Sequence, residues 1–109
     1  MTADHSHVRS DMREPLYQRD LIKKIKTLFP GCFILKNDPA FMQGVPDILI
    51  LYRDRWAMLE VKMDVSSNVQ PNQQYYIDQL GEMSYASFIN PSTEERVLNE
   101  LQLALGPRR

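Results

Sequence analysis

Two apolar runs, Ile48-Leu49-Ile50-Leu51 and Trp56-Ala57-Met58-Leu59, stand close together in the chain with the charged turn Arg53-Asp54-Arg55 between them. Both are apolar on either face, the pattern of central strands covered by helices on each side, so residues 48–52 and 56–61 read as a hairpin. Upstream, Leu21, Ile22, Ile25, Leu28 and Phe29 fall on one helical stripe. The stripe predicts a helix over Glu14–Phe29, with Pro15 in its first turn and Pro30-Gly31 ending it. Cys32–Leu35 is a short strand candidate, followed from about Lys36 to Pro46 by a loop holding two prolines and a glycine.

Beyond the hairpin, residues 63–70 are polar and expected to be mobile. Pro71 opens a second helix whose stripe, Gln73, Tyr76, Ile77, Leu80 and Met83 or Ser84, sets Gln73 at the head of a buried face. Tyr85–Ile89 predicts another strand. Ser92-Thr93-Glu94-Glu95 offers a capping box to a third helix carrying Val97, Leu98, Leu101 and Leu105. The order α-β-β-β-α-β-α predicts an α/β sandwich with a mixed central sheet of about four strands.

Length changes the picture little: 109 residues suit a single domain over residues 14–106, with a flexible arm at 1–13 and a short tail at 107–109. No apolar run approaches the roughly 20 residues that span a bilayer, so no membrane partner is expected. The polar start Met1–His7 has no signal-peptide hydrophobic region, which makes a cytoplasmic location the expectation. The single Cys32, beside Phe33, reads as a structural thiol, and His5 and His7 have no third ligand near them in sequence. A net charge of -1 excludes nucleic-acid coating by bulk electrostatics. Cations cluster locally all the same, with Arg19, Lys23 and Lys26 on one helical face and Lys24 beside them. Such a set suits a solvated face as well as a phosphate-contacting one.

The candidate chemistry lies in the hairpin. Asp47 opens its first strand; Glu60 and Lys62 close its second and, two apart, project together while Val61 points into the opposite layer. These are ionisable residues embedded in otherwise apolar sequence, where burial without partners is costly. Two carboxylates suit Mg²⁺, which binds through one or two of them and accepts substrate phosphate oxygens. Lys62 beside them suits water activation or phosphate contact.

Gly44, Pro46 and Asp47, then Glu60 and Lys62, then Pro71-Asn72-Gln73-Gln74-Tyr75-Tyr76 resemble the PD-(D/E)XK nuclease superfamily, specifically its VRR-NUC branch, from about Glu14 to Leu105. That branch has tryptophan where this chain has Tyr76. The resemblance implies a restriction-endonuclease-like fold and a Mg²⁺- or Mn²⁺-dependent nuclease, with no organic cofactor. Asp47, Glu60 and the Val61 carbonyl would be metal ligands, Lys62 the catalytic lysine, and Gln73 a support for the lysine or the phosphate. Glu14 would add a metal contact. Small stand-alone members, viral or bacterial, resemble Holliday-junction resolvases in acting as dimers on branched DNA; for a viral chain the compartment would be the host cytoplasm.

The leading expectation is therefore a structure-selective DNA endonuclease, homodimeric, with Arg19, Lys23, Lys26 and Lys36 as DNA contacts. The competing expectations are a nuclease-fold module that binds nucleic acid or protein without cutting, and an RNA-directed nuclease.

Overall fold

Apolar residues on both sides of the hairpin place it at the centre of the fold. In the computed structural model, β2 (Ile48–Tyr52) and β3 (Arg55–Val61) pair antiparallel, with Ile48 opposite Leu59 and Tyr52 opposite Arg55. The backbone is described for residues 2–63 and 69–106, and side chains for 13–63 and 69–106. His5, His7, most of the polar segment 63–70 and the tail 107–109 thus fall outside the described side chains. β1 (Phe33–Lys36) pairs antiparallel with β2, and β4 (Tyr85–Ile89) pairs parallel with β3. The sheet order is β1-β2-β3-β4, and the element order is the expected α-β-β-β-α-β-α.

Alternation along the strands divides the sheet into two unequal faces. Ile48, Ile50, Ala57, Leu59, Val61 and Ile89 share the inner face, where they form one buried cluster with Leu21, Ile25 and Phe29 of α1 (Thr2–Leu28) and its following turn. Val97, Leu101 and Leu105 of α3 (Glu94–Leu105) complete that cluster. Each fully buried Leu or Ile contributes about 1.5–3 kcal/mol. A solvent-exposed, salt-screened pair such as Arg96–Glu100 on α3 adds little by comparison, so this inner layer carries the fold.

The outer face is covered only in part. α2 (Pro71–Met83) lies against β4, and none of its side chains is fully buried; Met83 is 71% exposed. The stripe expected to be buried is therefore half-buried, because α2 is a single helix on a face with no second one beside it. Leu51 of the hairpin is 36% exposed and its partner Phe33 on β1 69%, so the outer face of the hairpin is not fully covered as its composition suggested.

Three further local expectations change. α1 begins at Thr2 rather than Glu14, and Pro15 lies inside it. Residues 2–13 contain no glycine or proline to stop the helix, although they lack apolar periodicity. The capping box before α3 does not form. Instead the Asn90 side chain accepts hydrogen bonds from the Ser92 and Thr93 N–H groups at 2.9 and 3.1 Å, and Glu94 turns to α1, accepting from Tyr17 Oη at 2.7 Å and Lys24 Nζ at 2.6 Å. Finally, Arg55, expected in the turn, opens β3, and its guanidinium donates to the carbonyls of Ala104 and Gly106, capping α3 at 3.1 and 2.8 Å.

Candidate active site

Asp47 ends the loop before β2, Glu60 sits near the end of β3, and antiparallel pairing brings these two ends together. The Asp47 N–H donates to Glu60 Oε1 at 3.1 Å. Glu60 lies on the outer face, opposite Val61 in the inner core, and is only 7% exposed because α2 covers it. From that helix Gln73 Nε2 donates to Glu60 Oε2 at 3.3 Å. The other end of the same amide accepts the Gln70 N–H at 3.1 Å, so one side chain both closes the first turn of α2 and holds the carboxylate.

The Val61 carbonyl belongs to the same edge. In a trans peptide the carbonyl of one residue and the N–H of the next point in opposite directions. Since the Lys62 N–H donates to Ile89 on the β4 side, the Val61 carbonyl points the other way, toward Asp47. Lys62 follows directly, half-buried at the end of β3.

Electrostatics tie two more residues to the cluster. Burial, and after it the neighbouring Asp47 charge, push the Glu14 carboxyl above its usual range, while Lys62 and Lys36 pull it down. Glu14 on α1 and Lys36 at the end of β1 therefore lie within electrostatic reach of the strand ends. Asp47 is also raised, by burial above all, against the opposing Val61 backbone hydrogen bond and Lys36. Glu60 is pushed up to about 7: burial dominates, the Asp47 charge adds to it, and the hydrogen bond from Asp47, together with Lys62, offsets only part. Three carboxyls with raised pKa values at one sheet end disfavour joint ionisation unless a cation joins them.

Arg19, Lys23 and Lys26 are not brought to this cluster. They lie along the exposed side of α1 at about 8, 14 and 18 Å beyond Glu14, at 1.5 Å per residue. Arg19 pairs with Asp20 at 3.5 Å, and Lys23 and Lys24 border a groove of about 370 Å³ against Leu98 of α3. Cys32 is a free, half-buried thiol, its pKa raised by burial.

The residues missed in the sequence are the amides that fix the loop. Asn37 donates through Nδ2 to the Pro46 carbonyl at 2.5 Å, and its N–H bonds the Asp47 carbonyl at 2.8 Å. Asn72 Nδ2 bonds the Gln43 carbonyl at 3.1 Å, and the Asn72 side chain packs against Gly44 (φ +93°) so closely that it leaves no room for a Cβ there. Asparagines flanking a Pro- and Gly-containing loop were the available signal. Gln18, one turn after Glu14, joins Glu60 and Asn90 as the buried polar side chains among the described residues.

Among the described residues no three His, Cys, Asp or Glu groups converge tightly enough to hold a metal ion by side chains alone. The donor set is two hard carboxylates and a main-chain carbonyl at one edge. That set fits a cation of the Mg²⁺ type, which keeps several waters, and does not fit one needing a complete protein cage. Comparison with protein-family models, curated proteins and solved structures found no match.

Proposed function

We propose that this protein is a metal-dependent phosphodiesterase of the PD-(D/E)XK type that cuts DNA, preferentially at branches, as a homodimer. The observation that carries the reading is Glu60: a nearly buried carboxylate on a strand, held from one side by the Asp47 N–H and from the other by Gln73. A carboxylate needed only for packing has no reason to be buried beside a second one with its proton affinity raised. A ligand site awaiting a cation does.

In this reading Asp47, Glu60 and the Val61 carbonyl hold Mg²⁺ or Mn²⁺, with Glu14 beside them. When bound, the cation would stabilise charge on the phosphate and make a coordinated water more acidic. Gln73 orients the Glu60 carboxylate. Lys62 contacts the scissile phosphate or the attacking water from the strand end, and Lys36, within electrostatic reach of Asp47, serves as a phosphate contact. An open sheet end, rather than an enclosed cavity, suits a polymer substrate.

One observation favours a second reading, a nuclease-fold module that binds without cutting: among the described residues no three-residue cluster of His, Cys, Asp or Glu forms. Against it, Lys62 and Gln73 both accompany the carboxylates. Incubation of the protein with junction, linear duplex and RNA substrates, with and without Mg²⁺, decides among these. Cleavage of DNA by wild type that vanishes in Asp47→Ala and Glu60→Ala, with the fold intact by circular dichroism, is expected. Equal turnover by wild type and either variant would remove the metal-site reading, and faster cleavage of RNA would redirect the substrate.

A further inference from the structure

Phe41 is 84% exposed, and it does not sit on a loose loop. The turn presenting it is built on Asp38, whose carbonyl accepts the N–H groups of Phe41 and Met42 at 3.0 and 3.3 Å and whose Oδ1 accepts that of Ala40 at 2.9 Å. On the β1 side, Asn37 fastens the loop to Pro46 and Asp47. On the α2 side, Asn72 fastens it to Gln43 and lies against Gly44. Both anchors touch the site directly: Asn37 is hydrogen-bonded to the Asp47 main chain, and Asn72 immediately precedes Gln73. A large apolar ring is thus held in water at a fixed place beside the candidate active site, where neither packing nor loop closure requires it.

We infer that Phe41 is a stacking platform for an unpaired nucleobase of a DNA strand lying across the Asp47–Glu60 site. Stacking on an aromatic face needs an exposed ring, a low ordering cost and no sequence-specific partner, and the anchored turn supplies the first two. Only a base already freed from its duplex presents its face, so Phe41 would favour forks, flaps and junctions over paired DNA. Tyr75, exposed and one turn beyond Asn72 on the same side of α2, offers a second ring. The inference deepens the nuclease reading and rests on it, since it names what part of a branched substrate the chain would grip.

The test is fluorescence anisotropy in EDTA with labelled single-stranded, forked and fully paired DNA of matched length. The proteins compared are wild type, Phe41→Ala, Phe41→Trp and Leu103→Ala. Leu103 is equally exposed but lies on α3 near the end capped by Arg55, at the opposite end of the sheet from the site. Phe41→Ala is expected to weaken binding of single-stranded and forked DNA by roughly 5- to 150-fold while leaving paired DNA within twofold. Phe41→Trp should retain wild-type binding, Leu103→Ala should change nothing, and all four should share one thermal midpoint because neither side chain is packed. Phe41→Ala binding forked DNA within twofold of wild type would overturn the stacking role. If that happens while wild type still cleaves with Mg²⁺, the nuclease reading stands alone; wild type that neither binds nor cuts any DNA overturns both.

Discussion

Glu60 carries opposing demands in one side chain. Its strand needs it to be covered, and the proposed chemistry needs it charged. Because its folded pKa of about 7 lies above the ordinary 4.5, the folded metal-free protein favours the neutral acid. The sign follows from linkage: this contribution to stability is fully present below about pH 4.5 and is lost as pH rises through about 7. Asp47 and Glu14 are shifted in the same direction. The thermal midpoint in EDTA should therefore fall between pH 5 and pH 8, and Glu60→Gln should flatten most of that fall; a flat wild-type profile would contradict the burial argument. Metal loading must displace the shared protons, so cleavage should rise over the same interval. Lys62, next along the strand, is tested by kinetics: Lys62→Ala should lower cleavage by roughly 10²- to 10⁴-fold with metal affinity retained. A loss within about threefold would make its ammonium structural.

Among the elements, the loop between β1 and β2 positions Asp47, and Gly44 is where it meets α2. Gly31 and Gly44 both have positive φ, +87° and +93°, so alanine at either is strained by about 1–2 kcal/mol. They differ in surroundings: a Cβ at Gly31 meets nothing within 4 Å, whereas at Gly44 it lies 2.5 Å from Asn72 Nδ2. Denaturant unfolding should show Gly44→Ala to be the costlier variant, with the excess reduced when Asn72→Ala is added. Equal losses at both glycines would mean that Asn72 yields freely and the loop is not anchored there. This contact also marks where the sequence stopped being legible. The hairpin, the four strands and the meeting of Asp47 with Glu60 follow from apolar runs and strand periodicity, which are local. The partners of Asn72, Arg55 and Glu94 lie 29, 49 or more and 70 or more positions away, and no periodicity records such distances. α2 had the periodicity of a helix with one buried stripe, and only the number of helices on each face decided how far that stripe was covered.

For the whole molecule the unresolved demand is charge. The chain carries 13 basic and 14 acidic residues, and its α1 cations are spread along the helix rather than gathered at the carboxylates. One subunit would bring only Lys36, Lys62 and a few α1 cations to a polyanion. The logarithm of its affinity should then fall with log salt at a slope of about -2 to -4, at roughly -0.9 per phosphate neutralised. A two-fold dimer presents two sites and doubles the cations, so its slope should be about twice as steep. Light scattering at micromolar concentration is expected to give twice the 12.7 kDa of one chain. A salt titration of junction binding should give the steeper slope, with linear duplex of matched length bound and cut more weakly. A 12.7 kDa particle with the shallow slope that cuts both substrates equally would remove the dimer and the branch preference together. The phosphodiesterase reading would survive that result, because it depends on Asp47, Glu60, Lys62 and Gln73 within a single chain and not on how many chains meet the DNA.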